Sequence, residues 1–189
     1  MRKLLHYLPK TEPMIIRLCM VILIFCCQSA IAEMQPLPST TQKDDQVKQI
    51  VLGIMSYTRW VPPPSPVQLC IVGTTRFTTS LEHLDTNTTP NKIIVNKQSD
   101  SNPTLSAQCD VIYFGDVKPE EQQKIIATRQ NHPILVLSES NPSCELGSSF
   151  CLDTETFPIT FVVNLDSLAR SGVHVNPNVL LLGKKRAVQ

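Results

Sequence analysis

Apolar residues recur along this chain in two rhythms. From about Thr41 to Trp60, Val47, Ile50, Val51, Ile54 and Met55 fall three and four positions apart, the spacing that aligns one face of an α-helix. Asp44 and Asp45 near its start suit the positive end of the helix dipole, and the proline cluster PPPSP, residues 62–66, is expected to stop it. Beyond the prolines the rhythm shortens. QLCIVG, NKIIVNK, CDVIYFG and PILVLSE are brief, almost wholly apolar runs, separated by segments of helical character, TTRFTTSLEHL and KPEEQQKIIATRQNH. The second of these carries an acidic first turn after Pro119. Short apolar runs alternating with helices predict buried parallel strands joined by crossover helices.

After Ser140 the pattern changes again. SSFCLDTET and PITFVVNLD read as two strands around a polar turn, with Ile159, Phe161 and Val163 alternating, and this favours a hairpin over another crossover. LDSLARSG reads as a short helix stopped by Gly172. NPNVLLLGKKR reads as another, capped by Asn176 with Pro177 at the first helical position. The expected fold class is α/β: a three-layer sandwich, helices on both faces of a mixed, mainly parallel sheet, with an antiparallel C-terminal hairpin. The charged tail Lys184, Lys185 and Arg186 is expected at the surface, and residues 33–40 read as a loose leader.

The amino end sets the compartment. Arg2, Lys3, Lys10 and Arg17 precede the apolar run LCMVILIFCC, and QSAIA then closes on Ala30-Ile31-Ala32. That is the layout of a secretory signal peptide over residues 1–32, with cleavage before Glu33. The run is short for a membrane-spanning helix of about 20 residues. Met14 is an alternative start. Cys26, standing where a small residue would precede the lipid-bearing Cys27, argues against a lipoprotein.

Residues 33–189 are one domain's worth of chain. Cys19, Cys26 and Cys27 leave with the signal, so Cys70, Cys109, Cys144 and Cys151 remain in an oxidising space where disulfides are the default. Four cysteines allow three pairings. Local spacing in CELGSSFC favours Cys144 with Cys151, which leaves Cys70 with Cys109.

With 17 basic and 16 acidic residues, several of the basic ones in the signal, the exported chain is close to neutral or slightly acidic, which argues against a nucleic-acid binder with its basic face. His6, His83, His132 and His174 share no ligand spacing and no CxxC is present, so neither a metal site nor a redox pair is indicated. The loop GTTRF, residues 73–77, lacks the lysine and second glycine of a phosphate-binding loop. Ser148 and Ser149 lie outside any Gly-x-Ser-x-Gly elbow. Asp110, Asp116, Asp153 and Asp166 end strand candidates and read as caps or surface charges, although a hydrolase built on paired carboxylates is recognisable only in space. SYTRW, residues 56–60, reads first as core packing at a helix end. Tyr57, Arg59 and Trp60 are also the residue types that anchor interfaces. Leu165 and Leu168 lie one helical turn apart, with Val173, Val175, Pro177 and Leu180 close behind. These six would form an apolar pocket if the two short helices met at an angle.

GIMSYTRW, QLCIVG, CDVIYFG, CELGSSFC and above all FVVNLDSLARSGVHVNPNVLLLGKK closely resemble the YfiR family of periplasmic proteins, which includes the HmsC type. The resemblance covers essentially all of residues 33–189, least in the leader and in residues 85–108. It implies a non-enzymatic repressor that binds the periplasmic portion of an inner-membrane diguanylate cyclase (YfiN/HmsD type), lowering cyclic di-GMP and biofilm formation. Relief would come from an outer-membrane peptidoglycan-binding lipoprotein (YfiB type); apart from the resemblance, the CELGSSFC loop either only braces the hairpin or lets redox state set how firmly the repressor holds its cyclase. The resemblance further implies an α/β homodimer, disulfides Cys70–Cys109 and Cys144–Cys151, and no cofactor. The partner-binding apolar pocket maps to Leu165, Leu168, Val175, Pro177 and Leu180, with Arg170 as a polar contact and Arg59 and His174 at its border. The rival from another class is a periplasmic module that senses a small aromatic metabolite in the same pocket.

Overall fold

A computed structural model of the chain describes residues 38–84, 92–98 and 105–183. The expected signal peptide and the rest of the expected leader before Pro38, the tail at 184–186 and most of the stretch 85–108 lie outside them. Helix α1 spans Thr40–Ser56, and Val47, Ile50, Val51, Ile54 and Met55 are its buried stripe. Its start differs from the dipole expectation. Ser39 and Gln42 form a capping box, each side chain taking the other's backbone N–H, while Asp44 and Asp45 fall beyond the first turn. Ser39 and Thr40 thus belong to the helix rather than to a leader.

The helix also ends before Trp60 and before the prolines. Tyr57 caps it with its N–H on the carbonyls of Gly53 and Ile54, and the Thr58 hydroxyl bonds the Ile54 carbonyl at 2.8 Å. The chain then leaves as strand β1, Thr58–Arg59. Prolines 62–66 carry it to β2, Val67–Val72.

The remaining elements are α2 (Thr78–Glu82), β3 (Ile93–Gln98), α3 (Leu105–Gln108), β4 (Val111–Phe114), α4 (Pro119–Ala127), β5 (Leu135–Ser138), β6 (Phe150–Asp153) and β7 (Thr160–Val163). After them come α5 (Leu165–Arg170), β8 (His174–Val175) and a 3-10 turn at Pro177–Leu181. Six strands form one sheet in the order β3-β2-β4-β5-β6-β7, parallel throughout except for the closing β6–β7 hairpin. Strands β1 and β8 make a separate two-stranded antiparallel ribbon.

Period-two alternation divides the strands between two cores. On one face Leu69, Ile71, Val111, Tyr113, Leu135, Leu137, Phe150 and Leu152 pack with the α1 stripe and with Phe77 and Leu81. On the other, Cys70, Val72, Ile112, Phe114, Ile134 and Val136 pack with Leu105, Val117 and Ile125 of α3, α4 and their flanks. The result is the three-layer α/β sandwich with helices on both faces. At the hairpin edge, Phe150 and Phe161 meet edge to face with ring centroids 5.7 Å apart. No helix among the described residues is long and apolar enough to cross a membrane.

Candidate functional site

The block from Asn164 to Leu181 gathers most of the residues singled out in the sequence. Asn164 caps α5 by accepting the Ser167 N–H at 2.8 Å. Its amide nitrogen donates to the carbonyls of Cys144 at 2.7 Å and Glu145 at 3.0 Å. One side chain therefore ties the start of α5 to the CELGSSFC loop. The far end of α5 is held by Arg129, whose guanidinium donates to the carbonyls of Ser171 and Arg170. Arg170 itself pairs with Asp166 one turn back. Gly172 follows at φ +81°, the left-handed conformation that ends a helix without a Cβ penalty.

On this frame the apolar residues separate by exposure. Leu165 is 73% and Leu180 51% exposed. Pro177 is exposed as well, and Leu168 and Val175 are half-buried against the main core. Val173 departs from the expected pocket: it is buried in that core, because the turn after Gly172 aims it inward. The other five stay at the surface on α5, β8 and the 3-10 turn.

The ribbon brings in the early residues. Arg59 and His174 are paired across β1–β8, as are Thr58 and Val175, and the Asn176 N–H donates to the Tyr57 carbonyl at 2.9 Å. SYTRW splits along its length. Trp60 goes into the core, its indole N–H reaching the Asp110 carbonyl at 3.3 Å, while Arg59 remains exposed beside His174.

Two disulfides brace the sandwich. Cys70 of β2 joins Cys109, just ahead of β4, with Cα atoms 5.9 Å apart, inside the second core. Cys144 joins Cys151 of β6 across a Cα separation of 5.7 Å. Behind that loop Ser148 is buried with its hydroxyl on Gln122, a packing role rather than a nucleophile's.

The other candidate groups are absorbed locally. In the GTTRF loop, Thr75 donates to the Glu139 carboxylate at 2.8 Å, and Tyr113 donates to the same oxygen at 2.6 Å. Burial pushes the Glu139 carboxyl above its ordinary range against those two bonds, and burial with the neighbouring carboxylate raises the Tyr113 phenol further. Arg76 lies over the Phe77 ring at 4.6 Å. The crevice where the sheet order reverses, between the ends of β2 and β4, is a common ligand position in such folds. Here it is closed by backbone, since a Cβ on Gly115 would stand 2.4 Å from the Thr74 carbonyl oxygen.

Asp110 accepts the Gln68 N–H at 2.8 Å and faces His132 at 3.4 Å. Asp153 closes the hairpin turn through Thr156, a bond that lowers its pKa. These carboxylates work as caps and turn locks. Among the described residues no three His, Cys, Asp or Glu side chains converge as a metal site would need. Among the described residues the block holds Leu165, Pro177 and Leu180 exposed to water on braced elements, with Arg59 and His174 on the β1–β8 ribbon and Arg170 at the end of α5.

A protein-family model described as YfiR/HmsC-like matches residues 44–184. The match takes in α1 from Asp44 onward, the whole six-stranded sheet, both disulfides and the block from Asn164 to Leu181.

Proposed function

The chain belongs to the YfiR/HmsC-like family, and on that premise we propose that it is a periplasmic negative regulator that binds and inhibits an inner-membrane diguanylate cyclase. It lowers cyclic di-GMP and biofilm formation, and it acts without catalysis. The observation that carries this reading is the exposure of Leu165 and Leu180 in the last third of the fold. Exposed apolar side chains gathered into one patch mark interaction surfaces, and on this reading Leu165 and Leu180 belong to such a patch. The binding residues are Leu165, Leu168, Val175, Pro177 and Leu180, with Arg170, Arg59 and His174 as the polar border.

Inhibition follows from differential binding. A regulator that binds the inactive conformation of the cyclase more tightly shifts the population toward it, by no more than that difference in affinity. An outer-membrane peptidoglycan-binding lipoprotein relieves repression by competing for the same surface, and the regulator works as a homodimer. The Cys144–Cys151 bridge gives redox state a route to the surface, because Asn164 joins its loop to α5.

The test is a binding measurement between the purified protein and the periplasmic portion of the membrane cyclase. Saturable binding that is lost in Leu165→Asp supports the proposal. Absence of binding, or binding indifferent to that substitution, contradicts it.

A further inference from the structure

A second feature adjoins β1. Between the end of α1, β1, the proline connector and the start of the sheet is an open cleft of about 410 Å³, within the size range of small-molecule sites. Its walls are Met55, Val61, Pro63, Pro64, Val67 and Ile93.

The polar groups at its rim are nearly all spoken for. The Ser56 hydroxyl donates to the Gly53 carbonyl at 2.7 Å and the Thr58 hydroxyl to Ile54 at 2.8 Å. The Trp60 indole N–H donates to Asp110. The Arg59 side chain alone has no hydrogen bond or ion pair with any described residue. Among the described residues the cleft therefore presents apolar walls and one guanidinium without a protein partner, with no other side-chain donor to spend on a ligand.

We propose that this cleft binds a small amphiphilic carboxylate, its anionic head on Arg59 and its aliphatic body along the proline, methionine and isoleucine walls. Guanidinium matches carboxylate through paired N–H donors, and a body free of polar atoms leaves no group unpaired in the apolar part. An aliphatic body suits the walls better than a ring. The only aromatic lining the cleft among the described residues, Trp60, is 8% exposed and offers little face for stacking.

The chain's single tryptophan is thus a built-in reporter of the site. Titration calorimetry of the isolated protein with octanoate, alongside tryptophan emission, tests the assignment; no cyclase is present, so failure of the regulatory reading does not affect the result. Octanoate is expected to bind saturably at one site with a change in Trp60 emission. It should bind at least about tenfold more tightly than 1-octanol or octylammonium, as a charge-assisted head-group bond implies. Arg59→Gln, at an exposed position, should fold normally by circular dichroism and erase that preference.

Any of four results overturns the proposal: no saturable heat, heat without a tryptophan response, equal affinity for octanoate and octanol, or a preference that survives Arg59→Gln. Tighter binding of 3-phenylpropionate than of octanoate overturns the aliphatic assignment.

Discussion

The Asn164 amide donates to the Cys144 carbonyl oxygen at 2.7 Å while its own carbonyl oxygen caps α5. A disulfide loop and the helix that carries Leu165 and Leu168 are thereby fastened by one side chain. Asn164→Ala should cost about 1–2 kcal/mol, the usual loss for an N-cap, and weaken partner binding. Asn164→Asp keeps the cap and loses the donors to the loop, so it should retain most of the stability and still loosen the surface. Melting curves and binding of both variants check this; equal stability losses would show that the cap and the tether are not separable.

The two bridges close loops of very different length. Chain-entropy arithmetic gives roughly 2.5 kcal/mol for the short loop and about 4 kcal/mol for the long one. Cys70–Cys109 also lies inside a core, whereas Cys144–Cys151 braces a loop beside the hairpin. Cys70→Ser should therefore lower the melting temperature more than Cys144→Ser, and the latter should chiefly affect partner binding. Thermal melts rank them, and a larger loss for Cys144→Ser would reverse the assignment.

Glu139 supplies a pH signature. Burial raises its pKa from the ordinary 4.5, so the folded protein holds that proton more tightly than the unfolded chain. The linked stability is complete below the unfolded value and declines as pH rises through the folded one. Glu139→Gln keeps an acceptor for Tyr113 and Thr75 and removes the ionisation. The variant should gain on the wild type as pH rises above the ordinary carboxyl value of 4.5, measured by denaturant midpoints at a series of pH values. A difference that is flat with pH, or of opposite sign, would contradict it.

Leu165 separates surface from scaffold. At 73% exposure, Leu165→Asp should change stability by no more than about 0.5 kcal/mol. As an interface anchor it should weaken partner affinity by roughly thirtyfold or more, about 2 kcal/mol. Denaturation and binding on one preparation decide between a binding and a packing role.

How much of this was legible beforehand follows from the range of each signal. The α1 stripe, the four apolar strands, the hairpin with Ile159 and Phe161 inward, and the Asn176 cap are local patterns, and they stand in the structure. The capping box is local too: Ser39 and Gln42 have the right spacing, and the helix begins at Thr40, one residue before the expected Thr41. The early helix end was not legible. Two-residue strands have no period, so nothing in Thr58–Arg59 announces a pairing with His174–Val175 more than a hundred positions away. The same holds for Glu139 meeting Tyr113 and Thr75, and for Arg129 holding the end of α5. Val173 was misplaced because spacing alone does not distinguish an inward from an outward turn after Gly172.

The central claim is repression of a cyclase through the surface that includes Leu165. Its most direct test is cellular cyclic di-GMP after deletion of the gene, with and without the partner cyclase, and after complementation by wild type or by Leu165→Asp. The account predicts a rise only where the cyclase is intact, reversed by the wild type and not by the variant. An unchanged level on deletion, or full reversal by Leu165→Asp, would contradict it.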